Sequence, residues 1–575
     1  MNQRLKDLIV GNEAFVPLRR ARIAYRARHG GHPDWAHLLG KDRTEWHARR
    51  ESVSEGPRIL VATSVGLQFG ATALESLLGI ALTLRGAKVS TLFCDGVLPA
   101  CLSCSLDWFP GRRSLEACGP QADLCKHCFG PAAEMERELG LHLLRYSDGL
   151  DETARAEARR IATEIPLADI ETYRDKAGIP IGEHSLAGAL RYFARGDLAG
   201  EAHGEMVLRR YFEAGLLTAL SISRLIDRER FEAVVLHHGI YVPQGIICEI
   251  ARKKGLRVVT WFPSYRKGTF IFSHGTTYHH EMMDEPNEAW DTMPWSDAQD
   301  RKIGDYLASR ATGAQDWISF HHHAKAERSA IEAAIGIDFS KPTIGLLTNV
   351  IWDAKLHYPQ NAFPSMMDWI EKTIAWFAGR PHLQLLIRVH PAELTGNVKS
   401  RQRVADELAV KFPRLPPNVF VVGPESDIST YNAMGCCDSV LIYGTKTGVE
   451  LSSMGIPVIV AGEAWIRRKG ISLDVESEEN YFALLETLPL RERLSPARTE
   501  RARKYAYHFF FRRMIPLEHV VPRKGFPPFK LDFEGGLGRL RPGASIGLDV
   551  ICDGILKGSP FIYPDEQTVQ SGDKR

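Results

Sequence analysis

The stretch LIYGTKTGVELSSMGIPVIVAG (residues 441–462) reads as a buried strand, a Gly-Thr turn, a short helix and a second strand. A purely structural link between strands this apolar is expected to use Asn-Gly or Pro chemistry. Here Gly444, Thr445, Thr447 and Gly448 put small residues and hydroxyls at a helix start. Unpaired backbone N–H groups and the positive end of the helix dipole favour an anion there. Glu450 follows six residues after Gly444, and Gly455-Ile456-Pro457 ends the helix. The plainer alternative is an ordinary βαβ unit with a Thr cap.

Outward from this unit, TIGLLTN (343–349), LQLLIRVHP (383–391), NVFVVGP (418–424), SVLIYG (439–444) and PVIVAG (457–462) are continuous apolar runs. Such runs mark parallel strands covered on both faces. Helices separate them, for example MMDWIEKTIAWFAG (366–379) and VKSRQRVADELAVKF (398–412). An earlier series starts with strand RILVATSVG (58–66), helix 71–86 and strand AKVSTLFCDG (87–96), the opening of a doubly wound domain. It resumes, after a cysteine-rich insertion (94–130) and helices to about 225, with FEAVVLHHG (231–239), QGIICEIARKKG (244–255) and LRVVTWFP (256–263).

The expected fold is α/β of the GT-B plan, two Rossmann-like domains facing a cleft. A helical, basic extension occupies 1–56, the first (acceptor) domain 57–336, the second (donor) domain 337–485, and helix 496–514 with a Gly/Pro-rich tail fills 486–575.

Hydrophobic and charged fractions of 44% and 25% over 575 residues are those of an ordinary globular protein of two or three domains. A net charge of +2 gives no strong field, so nucleic acid is not implied as a partner. The start is charged throughout and no apolar run reaches about 18 residues, which predicts neither signal peptide nor membrane span and a cytoplasmic location. Ten cysteines in that compartment are expected to be reduced.

Ligands of open parallel sheets bind at the carboxyl ends of the strands. In the second domain those ends carry Arg388, His390 and Pro391, then 423–426 with Ser426, then the 444–450 turn. This set suits a sugar nucleotide. Thr445 and Thr447 hold phosphate, Arg388 or His390 neutralises the leaving group, and Glu450 accepts from the ribose hydroxyls. Taken singly, Arg388 also reads as a strand-end ion pair and Glu450 as a solvated helix residue.

Gly444-Thr445, Glu450, Gly455 and Pro457 resemble the donor-binding signature of GT-B glycosyltransferases. With RVHP (388–391), 443–470 and KYAYHFFFRRMIP (504–516), the chain resembles the bacterial capsule polysaccharide biosynthesis glycosyltransferases over about 340–516. The resemblance implies a nucleotide-sugar donor and a glycan or lipid-linked acceptor. In relatives using CMP-activated acidic sugars an HP motif and a Ser/Thr pair contact the nucleotide phosphate, and His390-Pro391 and Thr445/Thr447 match those positions.

In the first domain, Gly66 in SVGLQFGA (64–71) suits close approach of a substrate to the backbone. His237 and His238 follow a buried strand, and SHGTTYHHEMMDE (273–285) concentrates His274, Tyr278, His279, His280 and acids. Any of these could supply a catalytic base, His238 foremost. His321, His322 and His323 read as solvated surface.

Cys101-x2-Cys104 and Cys125-x2-Cys128, twenty residues apart with Cys94 and Cys118 nearby, have the spacing of a four-cysteine zinc site. A structural zinc is expected, with an iron–sulfur cluster as the alternative. The stretch YAYHFFFRRM (505–514) mixes aromatics with arginines. It reads as a helix face packed on the first domain or, alternatively, as a peripheral contact with the inner membrane.

A glycosyltransferase is therefore expected. A sugar-nucleotide 2-epimerase on the same plan would need a carboxylate set at the first strand ends, which is not evident. A zinc-ribbon protein using basic residues 18–28 on RNA would leave the strand-end set without purpose.

Overall fold

The computed structural model describes residues 13–565 except 54, 107–118, 121–123, 311–314, 318–326, 357, 397, 491 and 526. Cys118 and the three histidines at 321–323 lie outside the described residues.

The first sheet contains β1 (Arg58–Ser64), β2 (Lys88–Phe93), β3 (His142–Arg145), β4 (Ala233–His237), β5 (Arg257–Pro263) and β6 (Thr269–His274). The second contains β7 (Thr343–Leu347), β8 (Gln384–Arg388), β9 (Val419–Val422), β10 (Ser439–Ile442), β11 (Val458–Val460) and β12 (Leu473–Asp474). Its order is β9-β8-β7-β10-β11-β12, all parallel, the doubly wound Rossmann order. The first repeats that order as β3-β2-β1-β4-β5, then adds β6 antiparallel to β5. The expected α/β plan of two Rossmann-like halves is thus what the chain builds.

The strands form because their apolar runs have both faces to bury. Leu60, Val61, Val234 and Val235 are at most 1% exposed. Helix α1 (Val16–Arg28) belongs to the basic extension, whose Trp35 and Trp46 pack against α2 (Phe69–Leu84) in the core under the first sheet. The cysteine-rich region ends in α3 (Cys125–Leu139), and α4 (Gln244–Lys253) follows β4.

Helices α5 (Tyr278–Asp284) and α6 (Asp297–Arg310), with Trp290 between them, bring Met282 and Tyr306 into one core with Val440 and Val449 of the second half. The opposite face of the second sheet is covered by α7 (Met366–Ala378). Helix α8 (Thr447–Ser453) is the short helix after the Gly-Thr turn.

Helix α9 (Pro496–Tyr507) packs beside α8, and β13 (Met514–Pro516) then adds an antiparallel edge to the first sheet. The aromatics between them, Phe509 and Phe510, are fully buried in the core shared with α5 and α6. This corrects the membrane reading of 505–514, because those rings have no surface left to offer a bilayer. The supposed tail also has structure: hairpin β14 (Val520–Pro522) and β15 (Phe529–Leu531), then α10 (Ile546–Lys557) on the first half's core. Helix 398–412 is shorter than expected, running only from Val404 to Lys411.

Candidate active site

Each Rossmann order reverses where its first strand meets its fourth, and the loops there part to leave a crevice. In the first sheet these loops follow β1 and β4; in the second they follow β7 and β10. The two crevices meet. Tyr241 Oη, in the loop after β4, donates to Asp353 Oδ1 at 2.7 Å and accepts from the Ala354 amide at 2.9 Å, both in the loop after β7.

On the first half, Ser64 and His238 stand at the two strand ends with φ of 63° and 69°. Left-handed backbone at a residue bearing Cβ costs about 1–2 kcal/mol, and such strain gathers at functional sites. The geometry turns His238 into an aromatic cluster: Phe262 at 4.8 Å, Tyr241 at 5.3 Å and His279 at 6.3 Å between ring centroids. His279 in turn lies 5.8 Å from Trp465 of the second half, which also packs against Tyr278. His237, Tyr278 and His279 therefore join His238 as one wall.

Nδ1 of His237 and of His238 is buried without a hydrogen-bond partner among the described residues. Burial, reinforced for His238 by His237, His279 and Arg191, pushes its pKa well below the ordinary imidazole value, and burial takes His237 and His279 to about 3. Burial therefore keeps these rings in the neutral, proton-accepting form but makes them weak bases.

His274 stands apart. Because β6 runs antiparallel, it ends at the opposite sheet edge, where His274 bonds the Ser559 carbonyl at 2.9 Å.

Gly66 is a correction. A Cβ there would lie 2.2 Å from the Cys128 carbonyl oxygen, so its missing side chain admits the first turn of α3 rather than a substrate.

On the second half, Tyr443 through Thr447 are half-buried. Thr445 Oγ1 accepts from the Thr447 amide at 3.4 Å and donates to Thr447 Oγ1 at 3.3 Å. A Cβ at Gly448 would press on the Cδ1 atoms of Ile442 and Ile466 below 3 Å, so the turn packs closely against them. His390 is half-buried; its amide donates to Thr348 Oγ1 at 3.0 Å, and its Nδ1 accepts from the Ala392 amide, also at 3.0 Å. This fixes its ring at the carboxyl end of β8.

Arg388 is turned inward. It is 2% exposed and donates to the Gly423 and Ser426 carbonyls and to Thr430 Oγ1, so its guanidinium pins the 423–430 loop. Ser426 Oγ is used within that loop, accepting from the Ile428 amide at 3.3 Å.

Glu450 is 1% exposed and bound by two cations, Lys446 at 3.0 Å and Arg310 at 2.5 Å. Burial works to raise its pKa, but Arg310 and Lys446 outweigh burial and hold it below the ordinary value. Lys446 also lies 4.8 Å over the Tyr265 ring. Arg310, Lys446, Tyr241 and Asp353 are the residues that sequence reasoning missed. Lys446 alone carried a signal, as a cation within the Gly-Thr turn.

Among the described residues, no group of three or more His, Cys, Asp or Glu side chains is arranged to hold a metal ion. Cys101 and Cys104 hydrogen-bond each other, and the Cys128 sulfur takes backbone N–H groups of Gly66 and Leu67. Cys94, Cys101, Cys104, Cys125 and Cys128 are still close enough for their charges to interact. Among the described residues, no helix is long and apolar enough to cross a membrane.

Protein-family models and curated proteins give no match to the sequence. Solved structures do. The KpsC beta Kdo 2,4 transferase of Thermosulfurimonas dismutans is 14% identical over 48% of this chain and 80% of its own, with a TM-score of 0.31. Glycosyltransferase SsfS6 of Streptomyces sp. SF2575, complexed with thymidine diphosphate, is 11% identical over 78% and 94%, TM-score 0.22. The UDP-GlcNAc 2-epimerase of Neisseria meningitidis, bound to UDP-GlcNAc, is 10% identical over 78% and 98%, TM-score 0.24. Similarity at this level does not carry an activity or a substrate to this chain.

Proposed function

We propose that this protein is a glycosyltransferase that moves a sugar from a nucleotide-activated donor to a glycan or lipid-linked acceptor of a surface polysaccharide. One observation carries the reading. The crevices of the two Rossmann sheets meet, with a buried, neutral, strained histidine on one side and a hydroxyl-rich turn on the other.

In this reading Thr445, Thr447 and His390 bind the donor phosphate, with Gly448 keeping the turn tight. His238 takes the proton of the acceptor hydroxyl as its oxygen bonds to the anomeric carbon. The bond from that carbon to the phosphate oxygen breaks, and the nucleotide leaves with the electron pair. Arg388 acts one step back, holding the loop that carries Ser426.

The test has two arms. Thermal shift with UDP, CMP, GDP and CDP is expected to show stabilisation by one of them, and no response to any would overturn the reading. His238→Asn keeps a residue tolerant of left-handed backbone but removes the base. It is expected to lower transfer by about 10²–10⁴-fold with donor affinity unchanged. A non-hydrolysing 2-epimerase would convert its sugar nucleotide without releasing the nucleotide, so acceptor-dependent nucleotide release separates the two.

A further inference from the structure

We infer that the outer face of α1 docks the protein on an anionic lipid surface. The helix VPLRRARIAYRAR holds five arginines and no acid. Its inner side is settled: Ala27 is 3% exposed, and the Arg26 guanidinium lies 4.7 Å over the Phe69 ring. Two side chains of its outer side stand open. Leu18 and Tyr25 are 61% and 66% exposed, and seven residues apart they share one face. Arg22 lies exposed between them, and Arg28 and His29 continue the exposed face beyond Tyr25.

A second basic element adjoins this helix. The turn between β14 and β15 carries Arg523 and Lys524. Arg523 is close enough that, after burial, it is the next cause, ahead of Arg22, lowering the Arg26 pKa to about 10. Arg22, Arg28 and Lys524 are exposed and basic, which an anionic surface complements. Leucine and tyrosine flanked by arginines are the composition of a helix lying at a bilayer interface, with apolar side chains entering and guanidinium groups at the headgroups. RNA would also meet the arginines, but it gives an exposed leucine nothing to do, so the bilayer is the better fit.

The inner side of α1 faces α3, whose first turn covers Gly66 at the end of β1. Docking would therefore bring the first half's rim toward the membrane. That consequence rests on the proposed transferase function; the docking itself does not.

The test is flotation of the full chain with phosphatidylcholine vesicles, with and without about 30% phosphatidylglycerol. Wild type is expected to float only with the anionic vesicles and to be released as salt rises and screening sets in. Leu18→Ser with Arg22→Glu and Tyr25→Ser is expected to sediment, with its melting temperature kept because these side chains are exposed. Arg414→Glu, an equal charge change on the second half, is expected to float as wild type does. Four results would overturn the docking: wild type that does not float; a triple variant that floats equally; binding of single-stranded RNA through α1 in place of vesicles; or a dimer that the triple variant dissociates. Flotation without any nucleotide response would sink the transferase reading and leave the docking standing.

Discussion

Arg310 Nε and Glu450 Oε1 lie 2.5 Å apart, each side chain less than a tenth exposed, and the pair ties the end of α6 to the helix after the Gly-Thr turn. Asp316 and Lys446 complete the group. Removing one member of a buried ionic set strands the others, at about 3–5 kcal/mol. Arg310→Met is therefore expected to lower urea-unfolding stability by that order, and Glu450→Gln to lower it as well. If Glu450→Gln instead leaves stability intact and weakens nucleotide binding by about 1–3 kcal/mol, the carboxylate faces the ligand.

Glu75 is fully buried beneath the first sheet, accepting a 2.7 Å hydrogen bond from Trp261 Nε1, and burial raises its pKa to about 7. A raised carboxyl pKa means the folded state binds the proton more tightly than the unfolded chain. Its stabilising contribution is complete below the unfolded value near 4.5 and is lost as pH rises through about 7. Glu136, raised by burial to about 8, extends the window upward. Melting temperature is expected to fall between about pH 5 and about pH 8, and Glu75→Gln to flatten that fall. A slope unchanged by the substitution would show that Glu75 is ionised in the fold.

Cys101 has its pKa lowered, first by the Cys104 hydrogen bond and then, against burial, by the Ser103 and Cys104 amides. Burial pushes the thiols of Cys94, Cys125 and Cys128 up. The thiolate is the reactive form, so timed iodoacetamide alkylation read by mass spectrometry is expected to label Cys101 first. Uniform labelling of the five would refute that order. Protection of Cys101 and Cys104 together by added zinc would instead assign the cluster to a metal.

Tyr241 supplies both hydrogen bonds of its bridge to residues 353 and 354. Tyr241→Phe is expected to cost about 1–2 kcal/mol and to speed hydrogen exchange of the loop after β7. Unchanged exchange there would mean that the bridge does not hold the halves together.

The strands were legible because a parallel strand buried on both faces must be a continuous apolar run, as VVL (234–236) and VLI (440–442) are. The parallel, doubly wound arrangement followed from the alternation with helices. Arg388 was legible as a strand-end cation, but the same residue serves a phosphate or a loop carbonyl, and only packing distinguishes them. Arg310 was invisible: it comes from a helix of unremarkable pattern, 140 positions before the carboxylate it meets. Helix α10 carried its own marks, Ser545 before it and Gly558 after it, which the surrounding glycines and prolines obscured.

The path of the C-terminal segment governs how the molecule can be taken apart. Residues 496–514 first roof the second half beside α8 and then become a strand of the first half's sheet. A fragment holding only residues 337–485 would leave Ala464, Ile466 and their neighbours uncovered, and one ending at residue 336 would lose its edge strand. The halves are thus separate as sheets yet inseparable as pieces. A split-protein reassembly would have to cut in a loop within one half and carry 496–516 along with whichever fragment supplies the second sheet.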